Sequence, residues 1–151
     1  MRSIGFGFRE KMSGTWQGTA AGFERGKFSF DFDVRCPDVS RPLKILGSTT
    51  GLVTMEGVAE RVPAEGTLEI APLWRKRIRY AFAFTGKDGR RYRFAGAKKI
   101  ATRHLLSSWT TLPGHVYDDE TGKAVADVVA RFDLRKLPAL LRSFRPALAA
   151  G

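Results

Sequence analysis

The chain has 151 residues, 43% of them apolar, which fits one folded domain over residues 1–151 and excludes a wholly disordered polypeptide. It carries 26 Lys and Arg against 15 Asp and Glu, a formal charge of +11, which favours either anionic partners or a solvated basic surface. Cys36 is its single cysteine, so an internal disulfide is excluded and a reducing, cytoplasmic location is expected.

Apolar and polar residues alternate through most of residues 4–133, with Gly, Pro and Asp at the breaks. Successive side chains of a strand point to opposite faces, so this spacing predicts strands with one buried face. The first strand is predicted over Ile4–Gln17, where Glu10 interrupts the apolar row and predicts a bulge or an open barrel end. The second is predicted over Phe28–Cys36, because Pro37 would stop it.

Glycine punctuates the middle of the chain. Leu43–Val62 contains Gly47, Gly51 and Gly57, and it is predicted to form two weaker strands, since glycine in a strand marks a bend or a close backbone approach. A further strand is predicted over Thr67–Leu73, where Pro follows the apolar run.

Two hairpins follow. Arg77–Phe84 and Arg90–Lys99 flank a loop that contains Gly and Asp, and Ser108–Tyr117 is predicted to pair with Lys123–Asp133. Leu134–Leu148 places apolar residues at helical spacing, which predicts a short amphipathic C-terminal helix.

Burial of one face selects a register for the first hairpin. We expect Phe82 to face Tyr92 and Tyr80 to face Phe94, because a slip of one residue would mix aromatic and basic side chains on each face. The opposite face then carries a cluster of arginines: Arg77, Arg79, Arg91 and Arg93.

These strands predict an all-β fold, an antiparallel up-and-down β-barrel of about eight to ten strands with the short C-terminal helix. A surplus of aromatic side chains would face the interior, which favours a non-enzymatic carrier or accessory module for an apolar small molecule, lipid or sterol-like. The candidate ligand-binding residues of the interior are Trp16, Phe30, Phe32, Tyr80, Phe82, Tyr92, Phe94, Trp109 and His115. The alternative is an interior filled by these side chains alone.

The arginine cluster predicts a different kind of function. Its outer position favours an interaction module that docks onto an acidic protein or a membrane surface. Nucleic acid is not expected as a partner, because the aromatic residues alternate to the other face and offer the bases no stacking platform. The oligomeric state stays open, with a homodimer among the alternatives.

Catalytic signals are weak. His104 and His115 are the only histidines, neither has the spacing of metal ligands, and Cys36 has no partner cysteine. We therefore predict no metal, no cofactor and no assigned catalytic residue. A third hypothesis is an enzyme that uses His115 with Tyr117 or Asp127, and a defined pocket at His115 would support it.

The first residues carry no sign of export. Met1–Ile4 lacks an apolar core and a small-residue cleavage site, so no signal peptide is expected. No apolar run of the sequence is long enough to span a bilayer as a helix.

Gly14-Thr15-Trp16 on the first strand resembles the Gly-x-Trp motif of lipocalin-type barrels. In that family the Trp plugs the closed end of the barrel and often packs under a late basic side chain. The resemblance implies this role for Trp16, with Arg131 or Arg142 as its partner.

Longer segments carry a second resemblance. Tyr92–Ile100, Ser108–Val116 and Val128–Phe144, with Phe8–Gly14 near the start, resemble the accessory domain fused to some large GMC-type, cholesterol-oxidase-like oxidoreductases. The resemblance implies a lipocalin-like or calycin-like barrel without its own flavin, associated with sterol, lipid or other apolar substrates. It transfers no catalytic residue, and the barrel is expected here as a stand-alone protein.

Overall fold

The structure is a computed structural model that describes residues 4–19, 24–37, 45–71, 77–99, 111–132, 142 and 145–148. Within these ranges the chain forms nine β-strands. They are β1 (Ile4–Gly18), β2 (Arg25–Cys36), β3 (Ile45–Met55), β4 (Ala59–Ala71), β5 (Arg77–Thr85), β6 (Arg91–Lys99), β7 (Thr111–Asp118), β8 (Ala124–Phe132) and β9 (Arg145–Leu148).

Eight of these strands form a closed antiparallel barrel. Each strand from β1 to β8 pairs with the next along the chain, and β1 also pairs with β8, which closes the sheet. Closure satisfies the backbone groups that an open sheet would leave at its edges. The predicted all-β, up-and-down barrel is confirmed.

β1 is long enough to have two neighbours on one side. Its second half pairs with β8, and its first four residues pair with β9. The predicted helix over Leu134–Leu148 is therefore corrected at its end, because Arg145–Leu148 is a strand that pairs with the part of β1 beyond β8. The rest of that predicted helix lies outside the described residues apart from Arg142, whose backbone is helical.

Two local predictions about strands are wrong. The stretch Thr67–Leu73 is not a separate strand, because β4 continues without interruption from Ala59 to Ala71. Glu10 does not mark a bulge, because β1 and β2 pair without a register shift on either side of it, and the predicted alternative of an open barrel end stays a prediction. An inward-facing carboxylate is instead accommodated by partners inside the barrel.

The hairpin of β5 and β6 is shifted by two residues from the predicted register. Phe82 lies opposite Phe94 and Tyr80 opposite Gly96, so the same side chains face inward but with different partners. The turn explains the shift, because Asp88 accepts a hydrogen bond from the Arg90 backbone N–H at 3.0 Å. Arg90 is thereby held in the loop rather than in the strand. A shift of two preserves the faces, so the burial pattern cannot distinguish the two registers.

Phenylalanine rings fill the middle of the barrel. Phe82 and Phe94 stack with ring centroids 4.7 Å apart, and Phe30 lies 5.3 Å from Phe82. The Phe94 ring covers Gly96 and Gly114, where an added Cβ would come within 2.7 Å of ring atoms. The Phe94 ring fits over these two glycines because neither carries a side chain. Rings packed at these distances leave too little space between them for a ligand.

The two ends of the barrel differ in their connections. At one end, which we call the short-hairpin end, the connections are 19–24, 56–58, 86–90 and 119–123. At the other, the long-connection end, they are 37–44, 72–76, 100–110 and 133–144. Three of these four are longer than any connection at the short-hairpin end.

Candidate functional site

Most of the predicted interior residues do face the interior. Buried side chains are found at Trp16, Phe30, Phe32, Tyr80, Phe82, Tyr92 and Phe94. Trp109 lies outside the described residues. The interior position predicted for His115 is wrong, since its side chain is 53% exposed on the outer face. Alternation along β7 turns Leu112, Gly114 and Val116 inward instead.

Three polar side chains meet inside the barrel towards the long-connection end, and we call Glu10, Tyr80 and Lys98 the polar layer. The Tyr80 hydroxyl donates a hydrogen bond to Glu10 Oε2 at 2.6 Å, and Lys98 Nζ lies 3.5 Å from Glu10 Oε1. The Lys98 ammonium also lies 5.3 Å from the centre of the Tyr80 ring. Their exposed fractions are 6%, 3% and 5%, respectively.

The polar layer spans the barrel from one wall to the other. Glu10 comes from β1, whereas Tyr80 and Lys98 come from β5 and β6 on the opposite side of the closed sheet. Lys98 is one residue from the end of β6, which places the layer towards the long-connection end. The ion pair and the hydrogen bond therefore connect walls that no backbone ladder joins directly.

Burial keeps the neutral members of this region protonated. Desolvation raises the pKa of Tyr80 well above its ordinary 10.0, and the Glu10 carboxylate raises it further as a charge and as a hydrogen-bond acceptor. A Cys36 thiolate would add to that rise, which places the thiol close to the polar layer. Burial raises the pKa of Cys36 itself from 9.0 to about 11. The phenol and the thiol are neutral at physiological pH.

Thr49 adds a fourth polar group to the interior. It is 1% exposed, and its Oγ1 has no hydrogen-bond partner among the residues that the structure describes. Thr49 lies on β3 between Gly47 and Gly51. Gly51 is aligned with Glu10 through a pair on β2, and Gly47 is aligned with Tyr80 through Leu68 of β4. A buried hydroxyl without a partner loses its hydrogen bonds to water on folding.

The polar layer is expensive for a barrel that only has to fold. Removing a charge from water costs several kcal/mol, and an ion pair in an apolar interior recovers this only in part, so apolar replacements of a buried pair are often neutral or stabilising. An interior of the same shape could be built entirely from apolar side chains, as the phenylalanine-filled middle demonstrates. The polar layer is therefore the candidate site inside the barrel.

Sequence reasoning missed this layer, although the signal was present. Glu10 has the parity of Phe8 and Met12, and Lys98 has the parity of Phe94 and Gly96. We expected Glu10 to mark a bulge or an open barrel end, not a buried ion pair. Two opposite charges on inward parities of different strands are the pattern that would have revealed a buried pair.

The predicted arginine cluster lies on the outer face. Arg79, Arg91 and Arg93 are exposed and Arg77 is half-buried. Arg93 lies 3.8 Å from an Asp119 carboxylate oxygen and over the Tyr117 ring, whereas Arg91 bonds to Thr85. Part of the cluster is thus engaged in local contacts.

A concave surface of about 710 Å³ crosses the outer face of β4 to β8. Its floor is formed by small side chains such as Ala81 and Ala95, and Arg79, His115 and Asp127 are among the residues that line it. His115 Nδ1 and Asp127 Oδ1 are 2.6 Å apart. The pair predicted in the third hypothesis therefore exists, but on an exposed surface.

Trp16 lies at the short-hairpin end, where it helps to line a concavity of about 480 Å³ together with Tyr92 and Asp88. The plugging role that the Gly-x-Trp resemblance implies for Trp16 stays a prediction. Arg131 is exposed on the outer face of β8, on the opposite side of the sheet from the buried Trp16 ring. Arg142 is exposed as well.

The same end is held by a polar network on the hairpin turns. Tyr92 donates a hydrogen bond to Asp88 Oδ2 at 2.7 Å, and Arg90 Nη1 donates to Asp118 Oδ2 at 3.1 Å. Desolvation opposes the ionisation of Asp88, but the hydrogen bonds from Tyr92 and Arg90 and the Arg90 charge hold its pKa below the ordinary 3.8. This network organises the turns at that end of the barrel.

Asp118 is held in a similar way. Desolvation is outweighed by hydrogen bonds from the backbone N–H groups of Glu120 and Thr121 and by Arg90, so the pKa of Asp118 also lies below 3.8. Its Oδ1 accepts from those two N–H groups at 2.9 and 3.3 Å. The acidic residues at 118–120 thus help to form the turn between β7 and β8.

Within the described part of the chain, no group of three His, Cys, Asp or Glu side chains is placed to hold a metal ion. The same residues contain no helix with the length and apolar character needed to cross a membrane. Comparison of the chain with protein-family models, with curated proteins and with solved structures gave no match. The polar layer and its surroundings therefore have to be interpreted from their own chemistry.

Proposed function

We propose that this protein binds an apolar small molecule, lipid or sterol-like, in the interior at the long-connection end, beside Glu10, Tyr80 and Lys98. It acts in the cytoplasm as a carrier or as an accessory module to an oxidoreductase. The accessory role is suggested by the resemblance of the sequence to the domain fused to GMC-type oxidoreductases. The single observation that carries the binding proposal is the polar layer, three partnered polar side chains in a barrel interior that is mostly apolar.

Ligand sites of this class combine apolar walls with a few convergent polar groups that fix orientation. The polar layer supplies such groups, and Phe8, Val34 and Ile78 are among the buried apolar side chains of the same half of the barrel. The phenylalanine-filled middle forms the floor. Of the predicted ligand-binding residues, Tyr80 therefore contacts the ligand in this proposal, whereas Phe82 and Phe94 support the site from below.

The unpartnered hydroxyl of Thr49 supports the same position. A buried polar atom without a partner calls for an explanation, and a polar group on a bound molecule provides one. Thr49 belongs to the half of the barrel that contains the polar layer.

The first test is native mass spectrometry of the purified protein, with an organic extract analysed beside it. A co-purified apolar molecule in a one-to-one complex is the expected result, as is binding of at least one member of a lipid and sterol panel that includes dodecan-1-ol. A clean apo mass with no binding from the panel would overturn the proposal.

Thr49→Val separates binding from folding. The variant keeps the shape of the side chain and removes the hydroxyl, so the free energy of unfolding should stay the same or rise, because no polar atom is left buried without a partner. Affinity for dodecan-1-ol should fall, measured by displacement of the neutral dye Nile red. Thr54→Val, on the outward parity of β3, is the matched control and should leave affinity unchanged.

A second candidate function is docking of an anionic surface on the outer face. The observation that favours it is the concave surface lined by Arg79, next to the exposed Arg91 and Arg93. We propose an acidic protein or membrane surface as the partner, attracted by the charge of +11.

Vesicle sedimentation tests the membrane form of this candidate. Vesicles with anionic phosphatidylglycerol should retain the protein at low salt and release it at high salt, whereas neutral phosphatidylcholine vesicles should not retain it. Arg79→Glu together with Arg91→Glu should abolish retention. Equal retention of the double variant and the original protein would rule out this face.

A further inference from the structure

The buried charges of the polar layer balance each other. Among the residues that the structure describes, the buried polar or charged side chains are Glu10, Thr49, Lys98 and Asp118. Asp118 belongs to the short-hairpin end, where Arg90 is its ion-pair partner at 3.1 Å. The described interior at the long-connection end therefore holds one carboxylate and one ammonium.

The other polar groups of this region add no charge. Tyr80 stays a neutral phenol because of its burial and its hydrogen bond to Glu10, and the thiol of Cys36 stays protonated. Thr49 contributes a hydroxyl, which can both donate and accept a hydrogen bond. Among the described residues, a ligand entering this region meets groups that are polar but whose charges sum to zero.

A charged ligand would upset this balance. A carboxylate would compete with Glu10 for Lys98 and would face the Glu10 charge at short range, and an amine would compete with Lys98 for Glu10. Either one leaves an uncompensated charge in an apolar interior, which is far more costly than burying a hydrogen-bonded neutral group. A hydroxyl group changes no charge and can bond to Thr49, Glu10 or Tyr80, and a carbonyl group, which only accepts, can take a hydrogen bond from the Thr49 hydroxyl.

We infer that the site selects an uncharged apolar molecule carrying a hydroxyl or carbonyl group over the carboxylate or the amine with the same apolar body. The inference rests on the proposed function, since it names the chemical class of the ligand for that same site. Recognition comes from the polar layer and Thr49, whereas the apolar body packs on the buried side chains around them.

A matched series tests this selection directly. Dodecan-1-ol, dodecan-2-one, dodecanoate and dodecylamine share one chain and differ in the polar group, and their binding is measured by Nile red displacement and native mass spectrometry. The alcohol or the ketone should bind at least about tenfold more tightly than either ion, about 1.4 kcal/mol. Tighter or equal binding of dodecanoate or dodecylamine would overturn the inference and leave the proposed function standing. Failure of every member to bind would overturn the proposed function.

Charge-changing variants test the cause of the selection. Glu10→Gln leaves Lys98 as the charge of the layer and should shift the preference towards dodecanoate, whereas Lys98→Met should shift it towards dodecylamine. Two variants protect the test against a failure of one to fold. Glu65→Gln and Lys27→Met, both on exposed outward positions, make the same chemical changes and should leave the ranking as it was. An unchanged ranking in a folded Glu10→Gln or Lys98→Met protein would overturn the inference.

Discussion

The two halves of the barrel interior bury different kinds of side chain. In the middle and towards the short-hairpin end, Phe82, Phe94 and Phe84 pack on one another, with ring centroids 4.7 to 6.4 Å apart. Towards the long-connection end, Glu10 and Lys98 bring a carboxylate and an ammonium into the same apolar tube. The first half gains stability from burial and ring contact. The second half buries an ion pair that apolar side chains could often replace without a loss of stability. In the proposed function, these polar groups recognise the ligand.

The comparison teaches where to look for function in a small barrel. Large buried aromatics attract attention in the sequence, but here they are each other's partners and leave no room between them. The polar layer is instead indicated by charged residues at the alternate strand positions that face the core. An inward Glu and an inward Lys on opposite walls are unexpected in a structure whose interior is mostly apolar.

The largest effect is expected in the middle of the barrel. Phe82→Ala should lower the free energy of unfolding by about 3–5 kcal/mol, because the ring contacts Phe28, Phe30, Phe32 and Phe94 and the lost volume cannot be refilled. Urea denaturation measures the change. Leu46→Ala, at a 57% exposed position, is the control and should cost no more than about 0.5 kcal/mol. Similar losses for both variants would mean that the middle is not a packed core, and Phe82→Leu gives a milder test if the alanine variant does not fold.

Single and combined substitutions in the polar layer should change the free energy of unfolding in a different pattern. Lys98→Met leaves the Glu10 carboxylate buried without its cation, which should cost about 3 kcal/mol. Adding Glu10→Met and Tyr80→Phe removes all three polar members together, and the free energy of unfolding should return to its original value or exceed it. Additive losses along the series, measured by urea denaturation, would show that the layer stabilises the fold and would erase the contrast between the two halves.

More of the fold than of the candidate site can be predicted from the sequence. Alternation along β1, β2 and β5 is sufficient to predict a barrel, because burial of one sheet face repeats every second residue. A period of two cannot distinguish registers that differ by two residues. The cross-strand partners of Phe82 and Tyr80 therefore depend on the turn. The hydrogen bond from Arg90 to Asp88 is a local side-chain geometry that no periodicity contains.

The site was predicted less well for a related reason. Parity assigned Tyr80 to the interior correctly, but His115 has the opposite parity to Leu112 and Val116 and lies outside. Glu10 and Lys98 are separated by most of the chain, and only closure of the barrel brings their strands face to face. Such a contact depends on the number and tilt of the strands, which single-sequence patterns do not specify.

The pH dependence of the free energy of unfolding reports on the short-hairpin end rather than on the polar layer. The pKa values of Asp88 and Asp118 lie below 3.8 in the folded protein, so their contribution is complete above that pH and declines as the pH falls through the folded-state values. The stability difference between the original protein and Asp118→Asn should therefore shrink below about pH 4. Urea denaturation at pH 6 and pH 3 measures it. Asp31→Asn, on the exposed side of β2, should show a smaller difference at pH 6, and a difference for Asp118→Asn that grows in acid would contradict the assignment.

The smallest effect on stability is expected at Cys36, where the measurement is chemical and reports on the long-connection end. Burial raises the pKa of this thiol from 9.0 to about 11, so at pH 8 it holds about a hundredfold less thiolate than an ordinary thiol and should react slowly with iodoacetamide. The control is Ser13→Cys in a Cys36→Ala background, which places the one thiol on the exposed side of β1 and should react rapidly. Dodecan-1-ol should slow Cys36 further while leaving the control unchanged, because a molecule beside the polar layer would cover the thiol. Equal rates at the two positions would mean that the long-connection end is open to solvent, and the two halves of the interior would then differ in access as well as in polarity.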